Sequence, residues 1–206
     1  MPTYILNYFP GRGLTEISRQ MLHISETPYE DCRINYEDWP AMKPNSRYDE
    51  IPTLNVDGEY ITNSFEIARF LAEKLGFNGK NYDEASKALS IGKEYMSYFA
   101  DCRSFLMNLY GFEEGDKDKL RKESGEPARD KFFTSLEQRV KENGSNGHLI
   151  GDSLTWIDLL IAYHIDVLLS HIPGFFDKYP KMMAVKDSVR SNPKLNEWIH
   201  NNSLKN

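Results

Sequence analysis

The first third of the chain alternates runs typical of strands with runs typical of helices. Tyr4–Tyr8 is rich in strand formers, and after a glycine turn at residues 11–13 apolar residues recur at helical spacing through residues 14–22. A second strand is predicted at residues 29–34. These elements form a βαβ unit, in which the two strands are parallel.

A hairpin is predicted after an irregular stretch at residues 38–49. Two short β-type runs, residues 52–56 and 59–61, flank the dipeptide Asp57-Gly58. Asp-Gly favours a type I′ turn, because both central residues of that turn need positive φ. The second half of the domain therefore begins with two antiparallel strands.

A helix follows the hairpin and closes the first domain. Asn63-Ser64 can cap its start, and Gly76 is a typical stop. The small, polar residues that come next are typical of a linker. The sequence predicts a βαβ-ββα domain at residues 1–77, a linker at 78–82 and a second domain at 83–206.

The second domain is predicted to be all-helical. Amphipathic helices are expected at residues 83–110 and 127–140, and shorter ones at 181–189 and 195–199. The sharpest helix start is Thr155 to Asp158, where each side chain can bond the other residue's backbone amide in a capping box. The helix after it is apolar on nearly every face, so it should form the buried centre of the domain.

Charge and hydropathy exclude several classes of function. The 206 residues carry a net charge of −6, which disfavours a nucleic-acid partner because such binding depends on neutralising phosphates. The N-terminus lacks the layout of a signal peptide, and the most apolar stretch, residues 156–169, is interrupted by charged and polar residues. We therefore expect a cytoplasmic protein that does not enter a membrane.

Generic catalytic motifs are missing from the sequence, which has no P-loop, dinucleotide fingerprint, GxSxG or HExxH. Cys32 and Cys102 stand far apart and the histidines lack ligand spacing, so neither a disulfide scaffold nor a metal site is expected. What remains is a set of residues at the ends of predicted elements, where α/β sheets bind ligands. They are Tyr8, Trp39, Lys43, Ile51, Pro52, Asn63 and Ser64.

Motifs spread along the chain carry a family resemblance. In order they are Tyr4-x-Leu6-x-Tyr8-Phe9-x-x-Arg12-Gly13, Tyr29-Glu30-Asp31, Asp38-Trp39-Pro40-x-x-Lys43-Pro44, Ile51-Pro52-x-Leu54-x-Val56-Asp57-Gly58, Ser64-x-x-Ile67-Ala68-Arg69 and Gly151-Asp152-Ser153-Leu154-Thr155-Trp156-x-Asp158. Together they resemble the sigma-class cytosolic glutathione transferases, most closely the nematode forms, over essentially the whole chain.

That resemblance implies an α+β thioredoxin-like N-terminal domain (βαβ-ββα) and an all-α C-terminal helical domain. It implies glutathione as co-substrate, no metal, and a detoxifying enzyme that conjugates glutathione to small apolar electrophiles. It also implies a homodimer, with Tyr48 a candidate for insertion between the subunits.

By position, the resemblance assigns the catalytic role to Tyr8, whose hydroxyl would donate a hydrogen bond to the glutathione sulfur and favour the thiolate. Trp39 and Lys43 would hold the glycyl carboxylate. Taken alone, these three residues would be a packing tyrosine, a core tryptophan and a surface charge.

The resemblance assigns the rest of glutathione to the residues around the hairpin. The Ile51–Pro52 bond is expected to be cis, with the backbone of Ile51 paired to the cysteinyl unit. Ser64, at a helix N-terminus, would bind the γ-glutamyl carboxylate and can also be a plain N-cap. Asn63 is assigned to the same end of glutathione.

The pocket for the second substrate is expected between the two domains. Its predicted walls are mostly apolar, which favours an apolar electrophile, although simple core packing is the alternative for each of them. These residues are Phe9, Leu14, Met96, Phe99 and Leu204.

Four positions depart from the family pattern. Leu14 stands where Arg is common, Glu50 where Gln or Lys is normal, Asn63 where Gln is usual, and Ser97 where an acidic residue usually meets the ligand of the partner subunit. Two alternatives to conjugation therefore stay open. One is a glutathione-dependent prostaglandin isomerase, and the other is a weakly catalytic, crystallin-like protein that binds apolar ligands.

Overall fold

The computed structural model describes residues 2–45 and 49–202. Its first elements are β1 (Tyr4–Tyr8), α1 (Glu16–Ile24) and β2 (Tyr29–Arg33). β1 and β2 pair in parallel, with Tyr4 opposite Tyr29. The predicted βαβ unit is therefore confirmed.

A short helix lies inside the stretch that the sequence predicts to be irregular. α2 (Trp39–Met42) is followed by a 3₁₀ turn at Lys43–Asn45. Pro40 stands in the first turn of α2, where the fixed φ of proline suits a helix. A helix of four residues is too short to produce a periodic pattern of apolar residues, which is why the pattern does not reveal it.

The predicted hairpin is present. β3 (Thr53–Val56) and β4 (Glu59–Thr62) are antiparallel, and the turn residues Asp57 and Gly58 have φ of 52° and 96°. Both values are positive, as a type I′ turn requires. β3 is also antiparallel to β1, so the described residues form a mixed sheet in the order β2-β1-β3-β4.

Helix α3 (Ser64–Leu75) follows the hairpin and ends at Gly76, which has a left-handed φ of 83°. α3 and α1 pack together beside the sheet and bury their apolar faces. This burial is the main stabilising contribution to the unit. The fully buried apolar side chains include Leu6, Leu22, Leu54, Ile67 and Leu71.

The next part of the chain is helical: α4 (Tyr82–Asp101), α5 (Arg103–Leu109), α6 (Lys117–Leu120) and, after a π-helical turn, α7 (Glu126–Glu142). The sequence predicts one helix over 83–110, whereas the structure has two, divided at Cys102. The thiol of Cys102 donates to the Tyr98 carbonyl at 3.1 Å. Apolar spacing continues across this single non-helical residue, so the pattern hides the break.

Helix α8 (Trp156–His171) begins with the predicted capping box. The Thr155 hydroxyl accepts from the Asp158 amide at 3.3 Å, and the Thr155 amide donates to the Asp158 carboxylate at 2.8 Å. As predicted, α8 is buried on most of its faces. Its fully buried apolar residues are Ile157, Leu159, Ile161, Ile165 and Leu168.

Two further helices, α9 (Pro180–Arg190) and α10 (Pro193–Asn202), follow. The described residues form two compact units, one running to Asn78 and including the residues from Arg190 onward, the other spanning Gly79–Val189. The domain boundaries at residues 78–82 stay a prediction. The architecture itself, a mixed sheet with helices and then a helical unit, is the expected fold class.

Candidate active site

The register of the sheet brings several candidate segments to one edge. Asn7 of β1 pairs with Thr53 of β3, and Thr53 pairs with Thr62 of β4. The end of β1, the start of β3 and the end of β4 therefore lie side by side. Directly beyond this row stand Tyr8, Pro52 and Asn63.

Tyr8 is half-buried at the end of β1, where its carbonyl accepts from the Ile34 amide at 2.8 Å. The turn after β1 passes directly over its ring. A Cβ atom built on Gly13, which has a φ of 48°, would lie 2.6 Å from the Tyr8 hydroxyl oxygen. Only glycine allows the backbone to approach the phenol this closely.

The phenol of Tyr8 holds its proton tightly. Burial raises the pKa of Tyr8, the neighbouring Tyr36 adds to the rise, and the positive charge of Arg19 opposes it. Tyr8 is therefore protonated at neutral pH and can donate a hydrogen bond to an anion.

An aromatic cluster centred on Phe9 lies beside Tyr8. The Phe9 ring lies 5.6 Å from the Tyr8 ring, and the Tyr36 ring stacks on Phe9 at 4.2 Å. Trp39 meets Phe9 edge-on at 6.5 Å. Tyr36, which is 54% exposed, was missed by the sequence reasoning, because no motif or periodicity sets this residue of the loop apart.

Trp39 and Lys43 lie one helical turn apart. The Lys43 amide donates to the Trp39 carbonyl, which places both residues on one side of the short α2 segment. Trp39 is half-buried and Lys43 is exposed. An indole N–H and an ammonium on the same side of a helical turn suit a carboxylate.

Asn63 and Ser64 form the start of α3. Asn63 has a φ of 70°, and its side-chain oxygen accepts from the Phe65 amide at 2.9 Å. Asn63 is therefore the N-cap of α3. The Ser64 hydroxyl lies 3.5 Å from that of Thr15, a fully buried residue next to α1. This start of a twelve-residue helix suits an anion, because its backbone N–H groups and dipole favour negative charge.

The remaining predicted residues around the hairpin lie where the sequence places them. The Ile51–Pro52 bond is cis, as expected, and Pro52 is buried just before β3. Glu50 is exposed. Tyr48, the candidate for subunit contact, lies outside the described residues.

Two buried charged residues of α1 were missed by the sequence reasoning. Arg19 is 0% exposed, and its guanidinium bonds Asp31 at 3.0 Å. Glu16, one turn earlier, is 2% exposed. The sequence did contain a signal for them: Glu16 and Arg19 are opposite charges spaced i, i+3 on the apolar side of the helix that carries Ile17.

The residues predicted for the second-substrate pocket belong to both compact units. In the first unit, Phe9 and Leu14 are half-buried, and both follow Tyr8 closely in the sequence. In the second, Met96 is exposed and Phe99 is half-buried on α4, where Phe99 contacts the Tyr95 ring at 6.3 Å. Leu204 lies outside the described residues. The pocket stays a prediction.

No metal centre is found within residues 2–45 and 49–202, because these contain no cluster of three or more His, Cys, Asp or Glu suited to a metal ion. Over the same part of the chain, no helix combines the length and apolar character needed to span a bilayer. Burial raises the pKa of Cys32 to about 11 and that of Cys102 to about 12, so both thiols are protonated at neutral pH. Neither cysteine is an activated nucleophile.

Comparison with known proteins decides the family. Residues 100–202 match the family model "Glutathione S-transferase, C-terminal domain". The probable glutathione S-transferase 7 of Caenorhabditis elegans is 38% identical over 199 residues, covering 97% of this chain and 96% of that protein. The chain belongs to the glutathione S-transferase family. Glutathione S-transferase 1 of Ascaris suum is also 38% identical, with the same coverage.

Solved glutathione S-transferases are similar to this chain over almost all of its length. A structure described as a monomeric glutathione S-transferase from the hookworm Necator americanus is 41% identical, covers 97% of both chains and has a TM-score of 0.92. A Nu-class enzyme from Haemonchus contortus is 40% identical, with the same coverage and a TM-score of 0.88. A prostaglandin synthase D of Nilaparvata lugens is 32% identical, covers 97% of this chain and 98% of its own, and has a TM-score of 0.79.

This glutathione S-transferase is thus an enzyme of a family that uses glutathione as co-substrate. Within its first unit, the sheet edge holds a protonated phenol and a helix start suited to an anion, and the α2 segment carries an indole and an ammonium suited to a carboxylate. These groups match the chemistry of glutathione, which carries one thiol and two carboxylates.

Proposed function

We propose that this glutathione S-transferase ionises glutathione at Tyr8 and conjugates the thiolate to apolar electrophiles, with a role in detoxification. The observation that carries this proposal is the protonated Tyr8 phenol at the sheet edge, beside the starts of β3 and α3. The thiolate then attacks an electrophilic carbon, so the reaction consists of thiolate activation and positioning.

The energy that thiolate activation needs matches what this site offers. A free thiol has a pKa of about 8.5, and lowering it by about two units requires roughly 2.7 kcal/mol of differential stabilisation. A hydrogen bond from Tyr8 to the charged sulfur supplies about 1.5–3 kcal/mol. One well-placed phenol therefore accounts for most of the requirement.

In this proposal, the two carboxylates of glutathione bind to separate sets of protein side chains. The γ-glutamyl carboxylate binds at the start of α3, through the Ser64 hydroxyl and amide and the side-chain N–H of Asn63. The oxygen of Asn63 caps the helix, and its NH₂ group can donate to the γ-glutamyl carboxylate. Trp39 and Lys43 bind the glycyl carboxylate, and the Ile51 backbone pairs with the cysteinyl unit.

An apolar second substrate is favoured by the rings beside Tyr8. Phe9, with Tyr36 stacked on it at 4.2 Å, offers a flat apolar surface within the same unit. Such a surface suits aromatic or unsaturated electrophiles better than charged ones. Leu14, Met96, Phe99 and Leu204 remain the other proposed walls.

We further propose that the enzyme is a cytoplasmic, sigma-class homodimer, as its motifs imply. Two solved relatives supply the alternatives to this class and to this oligomeric state. One is described as Nu-class, and another is described as monomeric. Light scattering of the purified protein distinguishes a mass of twice 23.9 kDa from a single chain. A single-chain mass over a wide concentration range contradicts the homodimer.

A second function deserves a direct test, because one solved relative is described as a prostaglandin synthase D. Glutathione-dependent isomerisation of a prostaglandin endoperoxide would use the same glutathione thiolate, formed at Tyr8. Leu14 disfavours this function, since it removes a positive charge common at that position. Product analysis with an endoperoxide substrate separates isomerisation from conjugation.

The deciding experiment is the steady-state rate of glutathione conjugation to a chlorodinitrobenzene-type electrophile by the wild type and by Tyr8→Phe. We expect Tyr8→Phe to lose most of kcat while still binding immobilised glutathione. Tyr4→Phe, at the buried opposite end of the same strand, is the matched control and should keep the wild-type rate.

Two results would overturn the proposal. A folded wild type with no turnover favours the weakly catalytic, ligand-binding alternative. The first residues to substitute would then be the four that depart from the family pattern, Leu14, Glu50, Asn63 and Ser97. A Tyr8→Phe variant with the wild-type rate removes the thiolate-activating role of Tyr8. Circular dichroism of each protein shows whether it is folded.

A further inference from the structure

Arg19 is enclosed in the first unit although long charged side chains are rarely buried completely. It is 0% exposed. Its Nε donates to Asp31 Oδ1 at 3.0 Å, its Nη1 to the Gly11 carbonyl at 3.2 Å, and its Nη2 to the Phe9 carbonyl at 3.3 Å. One planar group therefore holds three acceptors from two segments of the chain.

Two of those acceptors belong to the turn that follows Tyr8. The carbonyls of Phe9 and Gly11 have the Arg19 guanidinium as a fixed donor, so the path of this turn depends on Arg19. The same turn carries Gly13, whose backbone lies against the Tyr8 hydroxyl. A shift of the turn would therefore change the space in which the phenol lies.

Arg19 also places a charge near Tyr8. Its guanidinium carbon is 5.8 Å from the centroid of the Tyr8 ring. Asp31 partly offsets this charge, but its second oxygen accepts from Arg33 at 2.8 Å. Glu16 Oε2 is 3.9 Å from Arg19, and the positive charge of Arg12 also acts on Glu16. Of these charged groups, Arg19 is the one whose charge acts on the Tyr8 phenol, where it lowers the pKa that burial raises.

We propose that Arg19 is a positioning residue of the transferase reaction, which holds the turn against the Tyr8 hydroxyl and supplies a fixed positive charge behind it. This inference rests on the proposed role of Tyr8. It also explains how the chain keeps a cation near the thiolate although position 14 is Leu. The cation is the Arg19 guanidinium, which α1 places 5.8 Å from the centroid of the Tyr8 ring.

The test compares the pH dependence of glutathione ionisation among matched variants. Arg19→Met keeps the length of the side chain and removes its charge and donors, while Arg19→Lys keeps the charge and loses the planar fork. Arg129→Met is the control for the loss of a buried guanidinium, because Arg129 is 7% exposed and bonds Asp130 and the Phe175 carbonyl within the second unit. The readouts are the ultraviolet difference absorbance of bound thiolate and the pH profile of kcat/KM with a chlorodinitrobenzene-type electrophile.

We expect Arg19→Met to raise the apparent pKa of bound glutathione by about one unit and to lower kcat/KM at neutral pH roughly tenfold. Arg19→Lys should keep an apparent pKa near that of the wild type and lose kcat, because the turn is no longer held. Arg129→Met should retain the wild-type pH profile. A purely structural role of Arg19 predicts reduced stability in both Arg19 variants with no shift of the profile.

A second variant keeps the test decisive where Arg19→Met fails to fold. Asp31→Asn leaves Arg19 in place and removes its negative partner, so the apparent pKa of bound glutathione should move down, opposite to Arg19→Met. A folded Arg19→Met with the wild-type profile, or an Asp31→Asn profile that moves up, overturns the proposal.

Failure of the proposed function is distinguishable from failure of this inference. A wild type that forms no thiolate, or a Tyr8→Phe variant with the wild-type rate, removes the proposed role of Tyr8 before any Arg19 variant is considered. A wild type that depends on Tyr8, together with Arg19 variants of unchanged profile, removes only the role of Arg19.

Discussion

Trp198 donates its indole N–H to Glu16 Oε1 over 2.7 Å, and this bond attaches the last described helix, α10, to α1 of the same unit. Glu16 is almost fully buried. Burial raises its pKa, while the bond from Trp198 and the charges of Arg12 and Arg19 oppose the rise. The buried carboxylate therefore depends on a small set of donors, of which Trp198 is the one from the end of the chain.

Trp198→Phe should reduce the free energy of unfolding by about 1–3 kcal/mol at pH 7, because it leaves a buried carboxylate with one donor fewer. The folded pKa of Glu16 is raised, so ionisation of Glu16 lowers stability as the pH rises through that pKa, and the bond from Trp198 limits this loss. The effect of Trp198→Phe should therefore be smaller at pH 4. Urea unfolding at both pH values tests this, and equal losses would contradict it.

Gly13→Ala should impair catalysis through Tyr8. The new Cβ would lie 2.6 Å from the Tyr8 hydroxyl oxygen and must displace the phenol. We expect kcat to fall at least tenfold, as for a hydrogen bond worth roughly 1.4 kcal/mol, with less change in KM for glutathione. Steady-state kinetics with glutathione as the varied substrate measure both constants.

Gly58→Ala is the control for Gly13→Ala. Gly58 also has positive φ, 96°, and a Cβ there would meet nothing within 4 Å. Both variants should lose about 1 kcal/mol of stability from the strained backbone, but Gly58→Ala should keep the wild-type kcat. Equal activity in the two variants would remove the link between Gly13 and Tyr8.

Asn63 offers a way to separate helix capping from glutathione binding. Asn63→Asp keeps the oxygen that accepts from the Phe65 amide, so stability should stay within about 0.5 kcal/mol of the wild type. It replaces the NH₂ donor by a negative charge, which should raise KM for glutathione roughly tenfold through repulsion of the γ-glutamyl carboxylate. Calorimetric titration with glutathione and urea unfolding measure the two effects.

Asn63→Gly should show the opposite balance of effects, with a loss of stability and a smaller rise in KM. Glycine tolerates the φ of 70° but lacks the capping oxygen, so stability should fall by a few tenths of a kcal/mol. It adds no charge, and KM for glutathione should rise less than in Asn63→Asp. An unchanged KM in both variants would exclude Asn63 from the glutathione site.

His164 should make the stability of the second unit depend on pH. The Tyr98 hydroxyl lies 2.8 Å from its Nε2 and the Tyr95 hydroxyl 3.1 Å from its Nδ1. Burial lowers the pKa of His164 to about 3. Between pH 6.5 and 3 the unfolded chain therefore binds a proton that the folded chain does not, and stability falls as the pH is lowered through this window.

The wild type should lose about 2 kcal/mol between pH 7 and pH 5 from this group alone, since the slope approaches about 1.4 kcal/mol per pH unit. His164→Gln keeps a donor and an acceptor but does not titrate, so its loss over the same interval should be smaller by that amount. His171→Gln, at the exposed end of the same helix, is the control and should leave the wild-type difference unchanged. Urea unfolding at pH 5 and 7 measures all three proteins.

Local features were predictable from the sequence because their physical causes are local. Asp57-Gly58 forms the turn, since its two positive φ values are a property of those two residues. The Thr155–Asp158 box and the Gly76 stop depend on atoms within one turn of helix. The family resemblance supplied Tyr8, Trp39, Lys43 and Ser64 as site residues, which neither composition nor periodicity would have selected.

By itself, then, the sequence determined the βαβ-ββα order of the first unit, the parallel pairing of β1 with β2, the antiparallel pairing of β3 with β4, and the family. It did not reveal α2 or the break at Cys102. Only the tertiary structure decided that Arg19 and Gly13 surround Tyr8, that Tyr36 stacks on Phe9, and that the last described helix bonds the first. These contacts join residues that no short-range pattern relates, and burying a charge such as Arg19 is favourable only when the fold brings its acceptors together.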